Sequence, residues 1–372
     1  MSVSRLATLL AAPIAVISTL FSTSQKSIIN DAAIAARFAP VFYQALGDKP
    51  RNDYITNFDF DGDWRGDNNW NNAGNKEFPL KAFVYYSVAE TSTHFFVHYA
   101  VFHPRDYKGG EKKGALLSQL IREGTKRGGK YDPTGLADDA TLAHENDMEG
   151  ALVVVKRNGN DLAEAQVVFA ETLHHNKFTR YQTGDPQEGL ATVKLEGQRP
   201  VFYIEPKGHG IEAFTGDQKQ TSKKDFLRYV FDARADDPAK KDSVCRNLET
   251  VSCSKSLSYD LVSLATLWSK AKGEANKTYG VTFDYGEVAL SISLNGTTTT
   301  EKKFKLGTTG CAFLGTVGGI NMARPPWGWF DRDERDQPLG LWFFDPAATI
   351  KRDFKLESGF STSYVRLPFW AK

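Results

Sequence analysis

Short apolar runs, rather than long helical periods, organise this chain. Aromatic and β-branched residues fill Thr93–Phe102, and further apolar runs cover Ala151–Val155, Ala165–Ala170 and Val201–Ile204. Residues of these types favour extended strands, in which even-numbered and odd-numbered side chains lie on opposite faces. Turn-forming residues separate the runs at short intervals, as hairpin and loop connections require. The pattern predicts a mostly-β protein.

Two stretches carry a helical pattern instead. The run Asp31–Ala36 begins as a helix that ends before Pro40, where a strand can start. A second helix is predicted over Leu261–Lys272, inside the polar stretch 217–275, which we expect to be an insertion across one face of the protein. The length of 372 residues fits one domain. We therefore expect a single β-sandwich domain over residues 25–372, with helical and loop insertions.

The N-terminus has the layout of a secretory signal peptide. Arg5 precedes the apolar stretch Leu6–Phe21, and small residues follow at 22–24. We predict cleavage of residues 1–24, a mature protein that begins near Gln25, and a secreted or extracellular location. A cytosolic amphipathic helix is the alternative. No other segment is long and apolar enough for a transmembrane helix, so we expect no stable membrane span after signal removal.

Charge balance bears on the choice of partner, and cysteine content bears on disulfides and zinc binding. Lys and Arg total 46 and Asp and Glu total 45, a balance that predicts no nucleic-acid partner. Of the three cysteines, Cys245 and Cys253 are spaced to close a small loop in an oxidising compartment, while Cys311 lies in an apolar setting. No Cys-x-x-Cys pair is present, which argues against structural zinc and thioredoxin-like chemistry.

The strongest chemical signal is the acidic motif at residues 144–150. His144, Glu145, Asp147 and Glu149 lie within six residues, immediately before the apolar run Ala151–Val155. Mostly oxygen donors with one nitrogen suit Mg²⁺ or Ca²⁺, with Mn²⁺ as a further option. We predict that His144, Asp147 and Glu149 bind a divalent cation, and that Glu145 is a candidate general base. A solvated turn before a strand is the alternative.

The histidines point to the same region. All seven lie between positions 94 and 209, and none follows. Any one of them can be a buried core residue, but together they indicate one polar pocket built on neighbouring strands. We predict that four of them approach the cation as second-shell groups or ligand contacts: His98, His174, His175 and His209.

A family resemblance adds to this interpretation. The run Phe95–Asp106, which ends in Pro104-Arg105-Asp106, is followed by His144-x-x-Asp147-x-Glu149 and a valine-rich strand. Over about residues 80–215 this resembles the secreted necrosis- and ethylene-inducing-like cytolysins and the related vacuolar-protein-sorting sixty-two-type domains. Where their heptapeptide Gly-His-Arg-His-Asp-Trp-Glu has its glycine, its second histidine and its tryptophan, this chain has Ala143, Asn146 and Met148.

The resemblance implies a β-sandwich with a divalent cation at one end, held by His144, Asp147, Glu149 and an upstream aspartate at or near Asp138 or Asp139. It also implies binding of a glycan or glycolipid head group, with perturbation of the membrane. Tryptophans at 64, 70, 327 and 329 are candidates for stacking on sugars or for core packing. A metal-dependent hydrolase and a purely structural metal remain the alternatives, so whether the protein is an enzyme stays open.

Overall fold

A computed structural model describes residues 30–108, 113–114, 116–117, 120, 143–159, 161–216, 218, 225–246, 254–273, 275–294, 298–334 and 336–367. The predicted leader at residues 1–24, the candidate ligands Asp138 and Asp139, and Cys253 lie outside these residues. Cys245 is disulfide-bonded, whereas Cys311 is free and buried.

Strands dominate the described chain, which confirms the mostly-β prediction. There are seventeen of them: β1 (Val41–Ala45), β2 (Phe83–Thr91), β3 (His94–Asp106), β4 (His144–Lys156), β5 (Gln166–Leu173), β6 (Phe178–Gln182), β7 (Ala191–Thr192), β8 (Leu195–Glu196), β9 (Arg199–Ile204), β10 (Ile211–Ala213), β11 (Phe226–Phe231), β12 (Leu257–Ser263), β13 (Tyr279–Asp284), β14 (Glu287–Leu294), β15 (Thr298–Lys305), β16 (Thr308–Phe313) and β17 (Tyr364–Arg366).

Helices are few and short. They are α1 (Asp31–Phe38), α2 (Asn69–Asn72), α3 (Ala265–Gly273), α4 (Ala275–Thr278), α5 (Leu341–Phe344) and α6 (Pro346–Asp353), with 3₁₀ turns at Pro50–Asp53, Pro238–Lys240 and Pro326–Gly328. The Asn30 side chain accepts a hydrogen bond from the Ala33 N–H and begins α1, as a helix N-cap does. None of the helices in the described part of the chain combines the length and apolar character needed to span a bilayer.

Fifteen strands form one mixed sheet, and β13 pairs with β16 in a second, two-stranded sheet. The main path runs β10-β9-β1-β11-β12-β2-β3-β4-β5-β6-β7. The sheet curls, because β10 at one end packs against β4 and β5 near the other. This curl brings the loop between β9 and β10 to the first residues of β4.

The described part of the stretch 217–275 contributes two strands to the main sheet. Its strands β11 and β12 stand between β1 and β2, where β11 pairs with β1 and β12 pairs with β2. Buried side chains such as Leu227, Tyr229 and Tyr259 explain this placement. The buried residues of β11 and β12 form only short runs between polar segments. The polar composition of the stretch therefore gave no sign of two strands inside the sheet.

A buried polar cluster attaches the C-terminal helices to the sheet. Glu171 on β5 is fully buried, and its Oε2 accepts a hydrogen bond from the Trp342 indole at 2.5 Å. Arg180 on β6 lies 3.5 Å from the other oxygen of Glu171 and 3.1 Å from Asp353 on α6. Burial, together with the charge of Asp353, raises the pKa of Glu171 to about 8.

Glu171 therefore predicts a pH dependence of stability. Because its folded pKa of about 8 exceeds the ordinary value of 4.5, the folded protein keeps a proton that the unfolded chain releases between these values. The free energy of unfolding should fall as pH rises through this range, by at most about 1.4 kcal/mol per pH unit. Urea unfolding of Glu171→Gln should show a shallower fall than the parent. Glu188→Gln, at an exposed loop position, is the matched control; equal slopes in all three proteins would contradict the assignment.

Candidate metal centre

The end of β3 and the start of β4 bring four ligand-type side chains to one cavity. Antiparallel pairing sets Asp106 opposite His144 and His103 opposite Asp147. Asp106, His144, Asp147 and Glu149 all line a cavity of 240 Å³, and each is only 6–7% exposed. The motif is therefore a buried strand rather than a solvated turn. The structure brings together the three ligands predicted from the motif and adds Asp106.

Asn146 explains how His144 can share a cavity with Asp147. Residues three apart in a regular strand point to opposite faces. Asn146 interrupts that alternation with a left-handed backbone, φ 57°, a conformation that asparagine tolerates better than most residues. Its amide donates to the carbonyls of Gly66 (2.8 Å) and Leu314 (2.7 Å) and accepts from Asn69 (2.7 Å). A fully bonded amide holds this irregular point in the strand.

The carboxylates in the cavity are only partly paired within the described residues. Burial and the charge of Asp147 raise the pKa of Glu149 well above its usual range. One Glu149 oxygen accepts the His175 N–H at 3.2 Å, while the buried Oε2 has no hydrogen-bond partner in the described part of the protein. Burial also raises the pKa of Asp106, although the nearby His144, 3.6 Å away, acts in the opposite direction. A cation in the cavity would satisfy these groups.

His209 hydrogen-bonds to Asp147 from outside the cavity. Its Nδ1 donates to Asp147 at 2.9 Å, and its Nε2 lies 3.4 Å from Asp53. Burial alone would lower the pKa of His209, but the hydrogen bonds and charges of the two aspartates raise it to about 10. Asp53 is fixed by the Tyr107 hydroxyl at 2.7 Å and by the Gly47 N–H at 2.8 Å. The buried imidazolium thus holds Asp147 in place.

A second imidazole packs on the first. The His103 ring stacks on His209 with 3.7 Å between centroids and 5° between planes. Burial, together with the charge of His209, lowers the pKa of His103 well below its usual range, so this ring is neutral. Its Nε2 bonds to Gln44 at 3.0 Å. A neutral ring beside a charged one avoids like-charge repulsion in the core.

A polar cluster occupies the rim of the cavity. Glu205 lies 2.5 Å from His175 Nε2, 3.3 Å from His174 Nε2 and 3.1 Å from Lys108 Nζ. Burial alone would raise the pKa of Glu205, but these partners hold it far below its usual range. Ligand atoms of His174, His175 and Glu205 lie within 4.8 Å of one another, which is close enough to share a metal ion.

The loop between β9 and β10 is shaped around this rim. A Cβ atom at Gly208 would collide with the end of the Lys108 side chain, and one at Gly210 would collide with the His174 ring. His209 between them has a left-handed backbone, φ 56°. Glycine at 208 and 210 therefore leaves room for Lys108 and His174 while His209 turns toward Asp147.

The opposite wall comes from the C-terminal part of the chain. Met322, Arg324, Trp329 and Arg332 line it, next to Met148 of β4. The Trp329 indole donates to the carbonyls of Met148 (3.0 Å) and Arg324 (2.8 Å). Trp327 and Trp329 are both buried, so they are core residues rather than exposed sugar-stacking platforms. Trp64 and Trp70 are partly buried, and the guanidinium of Arg105 covers the Trp70 ring.

Two predicted site residues lie elsewhere. Glu145 does not line the cavity, because its carboxylate accepts hydrogen bonds from the N–H groups of Trp70 (2.7 Å) and Thr316 (2.8 Å). His98 is buried under the C-terminal helices, where it bonds to Ser87 (3.3 Å) and to the Trp342 carbonyl (2.9 Å). Burial lowers the pKa of His98 to about 4, as expected of a neutral core histidine.

Sequence reasoning missed four residues of the site: Asp53, Asp106, Lys108 and Glu205. A signal existed for Asp106, since it ends the Pro104-Arg105-Asp106 segment that carried part of the family resemblance. Asp53 and Glu205 have no such signal, because only the curled sheet brings their loops to β4.

No protein-family model and no curated protein matches the chain. Among solved structures the chain is similar to one described as a toxin fold for microbial attack and plant defence, with 16% identity over 49% of this chain and 67% of the other, TM-score 0.28. NLPPya in complex with mannosamine matches over the same shares at 16% identity, TM-score 0.29. Necrosis and ethylene inducing protein 2, from the causal agent of witches' broom disease of cocoa, matches at 12% identity over 36% and 45%, TM-score 0.22. The remote resemblance predicted from the motifs is confirmed.

Removal of His209 should destabilise the protein strongly. His209→Leu leaves Asp53 and Asp147 buried without the protonated imidazole between them. Breaking such a buried ion pair lowers the free energy of unfolding by about 3–5 kcal/mol. His94→Leu is the matched control, because the buried ring of His94 packs on Phe360 and, among the described residues, hydrogen-bonds to Thr93 Oγ1 alone. The control should lose about 0.5–1.5 kcal/mol. Similar losses in the two variants, measured by urea unfolding, would contradict the role of His209.

Proposed function

We propose that this protein binds a divalent cation through Asp106, His144, Asp147 and Glu149 and uses it to bind a glycan or glycolipid head group. The observation that carries the proposal is the convergence of three buried carboxylates and one imidazole on a cavity of 240 Å³. We further propose that it acts outside the cell, on a carbohydrate-bearing membrane surface, after loss of the leader predicted at residues 1–24.

The residues present fit a hard cation. Carboxylate oxygens outnumber nitrogen donors three to one, which favours Mg²⁺, Ca²⁺ or Mn²⁺ over ions that prefer thiolates. Glu149 Oε2 is buried without a hydrogen bond in the described residues, so it is free to serve as a ligand. His209 fixes Asp147 from the side away from the cavity, in the manner of groups that orient metal ligands. When bound, the cation would supply coordination positions for sugar hydroxyl or phosphate oxygens.

The placement of Glu145 favours binding over hydrolysis. A hydrolase of this kind needs a base that can reach a water molecule in the cavity. The candidate base, Glu145, is committed to two backbone N–H groups outside the cavity. The remaining carboxylates in the cavity are the proposed ligands. We therefore place the metal-dependent hydrolase second, and a purely structural metal third.

Cation affinity tests the ligand set. Asp147→Asn should weaken binding of Ca²⁺ or Mg²⁺, measured by calorimetric titration of chelated protein, by at least the roughly 10–100-fold that loss of a merely orienting group produces. Asp106→Asn should do the same, whereas Asp138→Asn and Asp139→Asn should not if Asp106 is the fourth ligand. Asp185→Asn, at an exposed position, controls for the change in net charge. Unchanged affinity in Asp147→Asn would rule out this site.

Chelation supplies an independent readout of the same site. A ligand present at 100 times its dissociation constant stabilises the folded state by about 2.7 kcal/mol. The parent should therefore melt at a lower temperature after chelation, and Asp147→Asn should show no such shift.

Cation-dependent sugar binding tests the function itself. We expect the protein to bind liposomes that carry glycosylated lipids in Ca²⁺ or Mg²⁺, and to lose this binding in chelator or in Asp147→Asn. Glucosamine and mannosamine, with which NLPPya was solved, are suitable soluble competitors. Liposomes without sugar head groups are the control. Equal binding with and without chelator would contradict the proposal, and release of free sugar during the assay would favour the hydrolase instead.

A further inference from the structure

The rim cluster has a different donor set from the cavity below it. His174 and His175 contribute two imidazole Nε2 atoms, and Glu205 contributes two carboxylate oxygens, at 3.3 Å and 2.5 Å from those nitrogens. The two rings lie close together, with 4.4 Å between centroids. The rim cluster therefore has two imidazoles and one carboxylate, whereas the candidate hard-cation site has one imidazole and three carboxylates.

The turn between β5 and β6 fixes the positions of His174 and His175. The hairpin between β5 and β6 closes with reciprocal hydrogen bonds between His174 and Lys177, at 2.9 and 3.0 Å. Its two central residues, His175 and Asn176, have φ angles of 50° and 57°. Such turns favour asparagine or glycine, so the turn itself does not call for an imidazole at 175. Gly210 completes the arrangement by leaving space for the His174 ring.

We propose that His174, His175 and Glu205 form a second metal site, for Zn²⁺ or a related nitrogen-preferring ion such as Co²⁺. Two histidines and one glutamate are a ligand set of zinc sites that keep an open coordination position. The His174 and His175 side chains are 25% and 32% exposed, so solvent or a ligand can reach the remaining position. This site goes beyond the proposed function, and none of its three ligands is a proposed ligand of the hard cation.

Lys108 lies against two of the proposed ligands. Its ammonium is 2.6 Å from Nε2 and 2.9 Å from Nδ1 of His175, over the imidazole ring, and 3.1 Å from Glu205. An ammonium and a metal ion cannot both use these donors, so Zn²⁺ binding displaces the Lys108 side chain. The flexible four-carbon stem of lysine permits that movement. Lys108 is thus a tethered cation that competes with the metal.

Three variants of the full-length protein test the site by calorimetric titration with Zn²⁺ and by the visible absorption of bound Co²⁺. His175→Asn suits the turn but removes the imidazole, and it should weaken Zn²⁺ binding by at least about tenfold, the smallest effect seen for groups around a metal. Lys108→Met keeps the stem and removes the competing charge, and it should tighten Zn²⁺ binding by about tenfold or more, since nearby like charges repel strongly at low dielectric constant.

Asp147→Asn separates this site from the hard-cation site. It should weaken Ca²⁺ or Mg²⁺ binding but leave the Zn²⁺ affinity and the Co²⁺ spectrum of the rim cluster unchanged. Circular dichroism confirms that each variant is folded. Zn²⁺ affinity that is unaltered by His175→Asn and by Lys108→Met would overturn the proposal. So would Zn²⁺ binding that is lost in Asp147→Asn but retained in His175→Asn, because the ion would then lie in the lower cavity.

Discussion

Burial of like charges is the constraint on which this structure depends. Asp106, Asp147 and Glu149 are nearly removed from water where β3 ends and β4 begins. Removing ionised groups from water is unfavourable by several kcal/mol each unless they are paired. The chain supplies the imidazolium of His209 behind Asp147 and the ammonium of Lys108 at the rim. Glu149 Oε2 stays buried without a hydrogen bond in the described residues, and burial together with the charge of Asp147 raises the pKa of this side chain, so the proposed cation would relieve the cluster.

The fold serves this cluster through its topology. The curl of the main sheet brings the loop between β9 and β10 against β4, so that Gly208, His209 and Gly210 meet the acidic motif. The C-terminal segment then closes the cavity with Trp329, whose indole bonds to the carbonyl of Met148. Segments distant in sequence therefore share one small volume. Strands and hydrogen-bonded turns support the site.

The sequence predicted those features that depend on local pattern. The apolar runs are strands, and the three ligands predicted from the motif, His144, Asp147 and Glu149, line one cavity, although His144 reaches it only because the backbone is irregular at Asn146. His98 and His103 both lie on β3, but His98 packs among the C-terminal aromatic residues whereas His103 stacks on His209. Five residues apart, the two side chains lie on opposite faces of the strand, and the sequence pattern does not show which segment packs over each face.

Long-range contacts account for the other differences. Asp53 and Glu205 reach the site only through the curled sheet, and β11 and β12 enter the sheet from a stretch whose composition is mainly polar. Glu145 was a reasonable candidate base by spacing, but Asn146 with its left-handed backbone separates it from Asp147. A single irregular residue thus decided which acids of the motif line the cavity.

A crystal structure of the protein grown with Mn²⁺, with anomalous diffraction recorded to locate the ion, tests the central claim most directly. We predict one strong anomalous peak in the cavity, within bonding distance of Asp106, His144, Asp147 and Glu149, with coordination positions open toward solvent. A cavity without a peak, in which Lys108 instead extends to the carboxylates, would contradict the account, because the chain would then neutralise its own buried acids.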